Sequence, residues 1–460
     1  MELEAAKKLI EKYEGIDAVR LKKAEVALRY YLGDNDIMYR KPKDKCEEPL
    51  RNADNRIAFN FHSLLVDQKA SYMFTAPPLF DTKDDTLNEI VAATLGDGYA
   101  KKCKDLCVDA SNAGVGWLHY WIDEKKGFCY GVIPSMQLRP VYSLRLEKEL
   151  EAVLRTYRMV DDNGDEWQIY EIWNDKECQA YRKRAEMFQP FDMFSYINLD
   201  GMAEPTNTFR HDFGAVPFIP FPNNNVCAGD LDKIKNLIDS YDKTYSGFVD
   251  DLEDIQQVVF VLTNYGGADL KQFLSDLKYY KTIQVESAGN DDKSGVSTLT
   301  IDIPVEARDK LLDITRKAIF DMGQGIDPQQ QGFDNTSGEA MKFLYSLLEL
   351  KAGLMETEFR AGFGELVRAI GRYYGKEPEQ IVQTWTRTSI RNDAELVDMC
   401  QKSVGVISTK TILKNHPFVE NAEDEEKELA AEKEQTAKET DIYRKAFNQQ
   451  GGENVDGNQN

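Results

Sequence analysis

The side chains that could support catalysis are few in this sequence and lie far apart. The four histidines are His62, His119, His211 and His416. None of the short motifs typical of zinc proteases, α/β-hydrolases, P-loop enzymes or dinucleotide-binding enzymes occurs. The stretch from Ser275 to Lys278 has a nucleophile–base spacing, but a match this short is common by chance. The sequence therefore predicts a protein that is not an enzyme and needs neither a cofactor nor a metal.

One group of acidic residues keeps an alternative open. Asp81, Asp84 and Asp85 lie close together in the sequence, and carboxylates are preferred ligands of hard divalent cations. A metal-dependent nuclease or hydrolase would use such a cluster, although no metal-site motif accompanies it. A solvated loop accounts for the same residues without any ligand. Activity that is lost on chelation would support the enzyme.

The composition is that of an ordinary globular protein with a strong negative charge. The 460 residues are 42% hydrophobic and 30% charged, with a formal net charge of −22. Such a chain repels nucleic-acid phosphates at long range, so tight static binding of DNA is not expected. No apolar run is long enough to span a bilayer, and the first residues lack the apolar stretch of a signal peptide. We therefore expect synthesis in a cytosol and no membrane partner.

The hydrophobic pattern changes character along the first half of the chain. Residues 1 to about 115 have a mostly helical pattern. The next region is rich in aromatic and β-branched residues separated by turn sequences, which predicts an antiparallel meander. Its predicted strands are Trp117–Ile122, Gly127–Ile133, Glu151–Val160 and Glu166–Trp173. The Pro- and Asn-rich stretch Gly214–Asn225 is predicted to end this region.

Two long helices are predicted next. The first runs from about Leu231 to Leu262, with apolar residues at alternating steps of three and four and an acidic opposite face. Residues 263–304 predict a compact insert of one short helix and two strands. The second helix is predicted from Val305 to Met322. An apolar stripe usually marks a core, but two rods joined by a small cap suggest a stalk in which neighbouring subunits pack side by side.

The loop QGIDPQQQGFDNTSG, residues 324–338, separates the second rod from a later long helix. It is rich in glycine and uncharged polar residues, in a chain otherwise crowded with acids. Ser337 is predicted to cap the following helix, whose apolar stripe runs to Tyr373. A strand is predicted at 380–390, followed by helical sequence with ten carboxylates against three lysines from Glu420 to Asp441. The last residues lack core-forming side chains and are predicted to be disordered.

The order of these features resembles that of the portal proteins of tailed bacteriophages, in the branch found in siphovirus-type phages. Four stretches carry the likeness: Asn55–Pro78, Phe213–Ile255, Ser337–Phe359 and Val406–Leu429. They resemble, in turn, the family's early helix with its Pro-containing turn, the approach to the stem, the start of the spine helix and a crown segment. No single motif is specific, but the shared order covers most of the chain.

The resemblance implies an α+β portal fold with a long helical stem and spine, an antiparallel β-rich wing, a small α/β clip and a helical crown. The implied segments are a wing (1–227 and 337–392), stem helices (228–262 and 305–322), a clip (263–304), a tunnel loop (323–336), a crown (393–447) and a tail (448–460). It implies a ring, usually of twelve subunits, at one capsid vertex of the virion. The implied partners are double-stranded DNA in the channel, the terminase large subunit, a head-completion (adaptor) protein, and capsid and scaffolding proteins.

In a portal protein the polar loop would be the tunnel loop, at the narrow point of the channel. DNA must slide past it in both directions, and Lys or Arg there would form ion pairs with phosphate that resist movement. Neutral amides can make and exchange hydrogen bonds instead, and glycines such as Gly323 provide mobility. The predicted DNA-contacting residues are Gln324, Gly325, Gln329, Gln330, Gln331 and Asn335.

The subunits of such a ring are identical, so their contacts must be head-to-tail and must close on themselves. The apolar stripe of the first rod is the predicted seam. Its residues are Ile238, Tyr241, Tyr245, Phe248, Leu252 and Ile255. A third interpretation, a helical scaffold or adaptor that binds partners through its acidic C-terminal helix, predicts a monomer or dimer instead.

Overall fold

A computed structural model of the chain describes residues 2–41, 53–197, 200–255, 259–263, 295–299, 304–329, 338–387, 393–419, 422, 424–434 and 436. The chain divides into two compact units. The first consists of residues 1–328 and 347–387, and the second of residues 329–346 and 388–460. Among the described residues, no helix combines the length and apolar content that a membrane span requires.

The described part of the N-terminal region contains five α-helices, and its pattern predicts mostly helix. They are α1 Leu3–Glu14, α2 Ala18–Tyr31, α3 Phe61–Met73, α4 Asp85–Leu95 and α5 Tyr99–Ala113, with the short strand β1 Leu79–Asp81 between α3 and α4. The backbone N–H groups of Ile57 and Phe59, just before α3, donate to the side chains of Ser246 (3.1 Å) and Asp242 (3.0 Å). Because these donors are satisfied by side chains of a distant helix, the chain stays extended there.

Two antiparallel sheets follow. The first has the order β12–β2–β3, from β2 Val115–Asp123, β3 Gly127–Ile133 and β12 Phe218–Pro222. The second sheet has the order β11–β7–β6–β5–β4, and β8 also pairs with β7. Its strands are β4 Leu138–Tyr142, β5 Leu150–Val160, β6 Glu166–Trp173, β7 Glu177–Arg184, β8 Met187–Pro190 and β11 Thr208–Arg210. A separate hairpin pairs β9 Phe194–Ile197 with β10 Ala203–Thr206. The four predicted strands are present, but they divide between two sheets and do not form one meander.

The Pro- and Asn-rich stretch that was predicted to end the β region contains the last strand of these two sheets. In β12, Phe218–Pro222, Pro220 and Pro222 pair with Trp117 and Val115 of β2. Proline is tolerated in this position because β12 lies at the edge of its sheet, where a missing N–H interrupts no second ladder.

The largest apolar core lies where α5 and the first sheet meet the long helix α8, Gly338–Tyr373. The ring of Phe221 in β12 packs against Phe359 and Phe363, with ring centroids 5.1 and 4.9 Å apart. Gly362 makes room for that ring, because a Cβ there would lie 2.6 Å from it. The described apolar stripe of α8 is thus a core stripe of this chain. Its buried members are Leu348, Ala352, Met355, Phe359, Phe363, Leu366 and Ile370.

The two predicted rods are α6 Lys235–Ile255 and α7 Val305–Gly323. The first rod is shorter than predicted, because residues 259–263 form a strand, β13 Val259–Thr263, that pairs with β14 Gly295–Leu299. The run VVFVL carries three β-branched residues, which favour a strand once a partner strand lies beside them. The predicted boundary between stem and clip at residue 262 therefore falls inside a strand. The predicted insert helix and the strand at 281–287 lie outside the described residues.

The region after α8 begins with a short strand. Of the strand predicted at 380–390, the described residues up to 387 form β15 Val382–Thr384, which pairs with β1. The second unit contains α9 Asp393–Lys402, α10 Thr409–Asn415 and a helical stretch at 424–434. Ser408 caps α10, since its Oγ accepts the Thr411 N–H at 3.3 Å. The predicted disordered tail lies outside the described residues.

A buried carboxylate on α6 gives a prediction about pH. Asp242 is fully buried, and its two oxygens accept hydrogen bonds from the Phe59 N–H (3.0 Å) and Asn35 Nδ2 (2.6 Å). Burial raises the pKa of Asp242 to about 6 despite these bonds. Because the folded-state pKa exceeds the unfolded value, this group stabilises the fold fully below about pH 4, and that stability is lost as the pH rises through about 6.

We expect Asp242→Asn to remove this loss. Relative to wild type, the melting temperature of the variant should rise between pH 4 and pH 8, by an amount corresponding to at most about 3 kcal/mol. The substitution leaves the bond from the Phe59 N–H intact. Asn35 can turn its amide to match, because its Oδ1 has no hydrogen-bond partner within the described part of the chain, although the turn gives up the 3.3 Å bond from its Nδ2 to the Phe59 carbonyl. Asp97→Asn, at an exposed carboxylate, is the control. A difference from wild type that stays constant across this pH range would contradict the prediction.

Candidate functional site

Two of the four histidines, His62 and His119, have structural roles. His62 of α3 is buried, and its Nε2 lies 2.8 Å from Asn112 Oδ1. His119 lies within β2, as predicted, with Nδ1 2.8 Å from the Pro217 carbonyl and its ring stacked on Phe218. Burial lowers the pKa of each imidazole to about 4. Both rings are therefore neutral near pH 7 and serve packing and hydrogen bonding.

Two of the three carboxylates of the acidic cluster, Asp81 and Asp84, make hydrogen bonds within the chain, and Asp85 is exposed. Asp81 accepts from Lys83 Nζ at 2.7 Å and from Asn88 Nδ2 at 3.3 Å. Asp84 caps α4 by accepting the Leu87 N–H at 3.1 Å, and its other oxygen accepts from Lys376 at 3.1 Å. No grouping of three or more His, Cys, Asp or Glu side chains suited to a metal occurs in the described residues. Nothing in this geometry favours the nuclease or hydrolase alternative. The stretch Ser275–Lys278, with its nucleophile–base spacing, lies outside the described residues.

The first part of the predicted tunnel loop is held firmly. α7 ends where Gln324 adopts the left-handed conformation (φ 57°) and the Gly325 N–H bonds back to the Phe320 carbonyl at 3.0 Å. Gln68 of α3 then binds Ile326 through both of its amide atoms: Oε1 accepts the Ile326 N–H at 3.0 Å, and Nε2 donates to the Ile326 carbonyl at 2.7 Å. The amide thus pairs with the loop backbone as a neighbouring β-strand would.

Further contacts hold the residues on either side. The guanidinium of Arg316 donates two hydrogen bonds to Asp327, from Nε at 2.9 Å and from Nη2 at 2.7 Å. Lys351 of α8 donates to the carbonyl of Gly323 at 2.9 Å. A Cβ added at Gly323 or Gly325 would lie 2.6 or 2.1 Å from the buried Leu65 side chain. These two glycines therefore allow close approach to α3, and their role as sources of mobility stays a prediction.

The predicted loop residues thus fall into two groups. Gln324 and Gly325 belong to this loop anchor, which we define as residues 323–327 together with Gln68, Arg316 and Lys351. Gln329 is exposed and lies beyond it. Gln330, Gln331 and Asn335 lie outside the described residues.

We expect Gln68→Ala to loosen the loop anchor without unfolding the protein. Loss of two hydrogen bonds to one peptide unit should cost about 1–2 kcal/mol locally, since each contributes about 1 kcal/mol. The amide of Ile326 should then exchange with solvent about 10-fold faster or more, as measured by hydrogen exchange of the intact protein. Asp67→Asn on the same helix, which changes a bond to Tyr31 instead, is the control. Unchanged exchange at Ile326 would show that Gln68 does not hold the loop.

A buried charged cluster lies beside the loop anchor. Asp230 accepts from Lys69 Nζ at 2.7 Å and from Asn223 Nδ2 at 2.9 Å, and Lys351 Nζ lies 3.0 Å from it. The side chains of Lys69, Asp230 and Lys351 are only 1%, 8% and 10% exposed. Burial alone would raise the pKa of Asp230, but the attraction of Lys351 and Lys69 outweighs it and holds the pKa well below its usual range.

This buried cluster joins parts of the chain that are distant in sequence. Lys69 comes from α3, Asp230 from the short 3₁₀ turn before α6, and Lys351 from α8. Lys351 also bonds to the end of α7, so the cluster and the loop anchor share one side chain. Sequence reasoning missed both features. An isolated lysine or glutamine within a helix pattern gives no local sign of its partner.

The predicted seam on α6 is only partly exposed. Ile238 and Tyr241 are buried inside the first unit, in a cluster with Phe61, Ile319 and Phe320. They therefore cannot present a surface to a neighbouring subunit, because the chain's own helices cover them. Tyr245 and Phe248 are half-buried, and Leu252 is 46% exposed. Ile255 ends α6, and its side chain lies outside the described residues.

Comparison with known proteins gives a consistent result. The profile of the family described as "Phage portal protein, SPP1 Gp6-like" matches residues 10–439. A "Portal protein" of Clostridium phage phiCD119 is 42% identical over 96% of this chain and 99% of its own length. The "Portal protein" of Bacillus phage SPP1 is 31% identical over 93% of this chain and 86% of its own length.

Solved structures give a weaker likeness. A chain from the "Neck of empty GTA particle computed with C6 symmetry" has a TM-score of 0.44 and 13% identity, and the match covers 80% of this chain and 92% of that one. The length and identity of the sequence matches, which extend through both compact units, carry the assignment instead. The chain belongs to the SPP1 Gp6-like family of phage portal proteins.

Proposed function

We propose that about twelve copies of this chain form a closed ring at one vertex of the capsid, and that double-stranded DNA passes through the channel of this ring during packaging and ejection. The ring is assembled in the host cytoplasm and remains in the virion. It docks the terminase large subunit during packaging and a head-completion protein afterwards, and it contacts capsid and scaffolding proteins. In this proposal the wing, stem, clip, tunnel loop and crown occupy the segments implied by the family resemblance, with the clip beginning at residue 259.

The loop anchor is the observation that carries the proposal. A loop that DNA pushes against in both directions needs a fixed base, since otherwise each passage would displace the helices beside it. Gln68, Arg316 and Lys351 hold residues 323–327 from three different helices. Beyond the anchor, Gln329, Gln330 and Gln331 carry three consecutive uncharged amides in a chain of net charge −22. Such a surface contacts DNA without the counterion-releasing ion pairs that make binding tight.

Negative-stain microscopy and light scattering of the purified protein test the proposal. We expect annular particles of about half a megadalton or more for chains of 52.5 kDa. The protein supplied in trans should also restore DNA-filled heads to a phage that lacks its portal gene. A monomer or dimer under all conditions would overturn the ring and favour the adaptor interpretation. Nuclease activity that a chelator abolishes would reopen the enzyme alternative.

A further inference from the structure

The helix α7 carries apolar residues on two faces. On the inner face, Ile319 and Phe320 are buried in the cluster that contains Ile238 and Tyr241 of α6. On the outer face, Leu311, Ile314 and Met322 are 46%, 56% and 57% exposed. With the half-buried Ala318 between them, these residues follow steps of three and four along the helix. We define Leu311, Ile314 and Met322 as the α7 stripe.

A second exposed stripe lies on α8. Leu347, Leu350 and Leu354 also follow steps of three and four, and they are 40%, 55% and 56% exposed. Leu348 and Met355, on the other side of the same helix turns, are buried in the core. We define Leu347, Leu350 and Leu354 as the α8 stripe. The first unit therefore presents a row of exposed aliphatic side chains on each of these two helices.

We propose that the α7 stripe of one subunit packs against the α8 stripe of a neighbouring copy of this chain. The inference rests on the proposed ring and names the surfaces that build it. A cyclic ring of identical subunits needs two different patches, because each contact is head-to-tail. The two stripes meet that need, and their spacing is that of helices that interlock side chains along a shared seam. This seam replaces the α6 seam, whose first two residues, Ile238 and Tyr241, are buried within the chain.

DNA is a poor alternative occupant of the α7 stripe. Most protein contacts to DNA involve its charged, hydrated phosphates and use polar or basic side chains. Leucine and isoleucine would gain nothing from facing such a surface, whereas burial against another apolar stripe removes their area from water. The choice of a second copy follows from this difference.

Two variants test the contact. The first is Leu311→Asp with Ile314→Asp, and the second is Leu350→Asp with Leu354→Asp. Each variant alone should be monomeric, with the concentration needed for association raised about 100-fold or more. An equimolar mixture should form heterodimers but no rings, because the first variant keeps an intact α8 stripe and the second an intact α7 stripe. Native mass spectrometry or light scattering distinguishes monomer, heterodimer and ring.

The control is Lys310→Gln with Lys317→Gln, which makes the same change in net charge on the same helix. This control should form rings like the wild type. Circular dichroism and melting temperature should show that each variant stays folded, and Leu311→Ser with Ile314→Ser replaces the first variant if aspartate prevents folding. Rings from either variant, or a mixture that stays monomeric, would overturn the inference. Failure of the wild type itself to form rings would overturn the proposed function instead.

Discussion

Replacing Asp230 with alanine is expected to lower the free energy of unfolding by about 3–5 kcal/mol, the cost of breaking a buried ion pair by removing one partner. Asp230 is the only carboxylate among the cluster's three charged groups, and Lys69 and Lys351 both contact it from sites that are 1% and 10% exposed. Its removal would leave two buried ammonium groups without an anion. It would also release Asn223, which connects Asp230 to Lys69. Chemical denaturation at a fixed protein concentration measures the loss.

Two comparisons separate charge from packing. Asp105→Ala, which removes an exposed partner of Lys101, should cost about 1 kcal/mol or less. Asp230→Asn combined with Lys69→Met should recover only part of the loss, because it removes one of the two unpaired ammonium groups while Lys351 stays buried without an anion. If the free energy of unfolding of Asp230→Ala lies within about 1 kcal/mol of the wild-type value, the cluster does not stabilise the fold as expected.

The pH dependence of this cluster follows from the direction of the pKa shift. Attraction by the two lysines depresses the folded-state pKa of Asp230 below the unfolded value. The cluster therefore contributes its full stability above the unfolded pKa of about 4, and that stability is lost as the pH falls through the depressed folded-state pKa. Acid unfolding of Asp230→Ala should lack this component.

Deleting Gln329–Asp334 is expected to abolish DNA packaging while leaving the ring intact. The deletion begins beyond the loop anchor, so Gln68, Arg316 and Lys351 keep their contacts to residues 323–327. It removes Gln329, Gln330 and Gln331, three of the residues predicted to contact DNA, and shortens the connection between α7 and α8. Packaging should fall to the background of a portal-deficient phage, measured as nuclease-protected genome per head.

The controls for the deletion distinguish length from chemistry. A Gly/Ser segment of equal length should restore part of the packaging, because the span is retained and the amides are lost. Gln329→Lys with Gln330→Lys and Gln331→Lys should package more slowly, and more so at low salt, because the lysines pair with phosphate. If the deletion variant still gives normally filled heads, residues 329–334 do not contact DNA in a way that packaging requires.

Much of the local structure could be predicted from the sequence. The second rod is present as α7 Val305–Gly323 against a prediction of Val305–Met322, and the four predicted strands are β2, β3, β5 and β6. Periodicity identifies such elements because a surface helix or strand must turn one apolar face inward. The errors lie where tertiary pairing decides. Residues 259–263 fit a helical stripe but form a strand beside β14, and the prolines of β12 look like a break but sit on a sheet edge.

The sequence by itself determined which residues are apolar, how they repeat and how strongly the chain is charged, and its likeness to portal proteins was confirmed by the family match. Only the tertiary structure decided how each apolar stripe is used. Ile238 and Tyr241 lie in the chain's own core, while Leu311 and Ile314 remain exposed. Periodicity shows that a side chain prefers apolar surroundings, but it does not show whether the chain itself or another molecule provides them. The same limit applies to Lys69, Asp230 and Lys351, whose pairing spans most of the chain and leaves no local pattern to read.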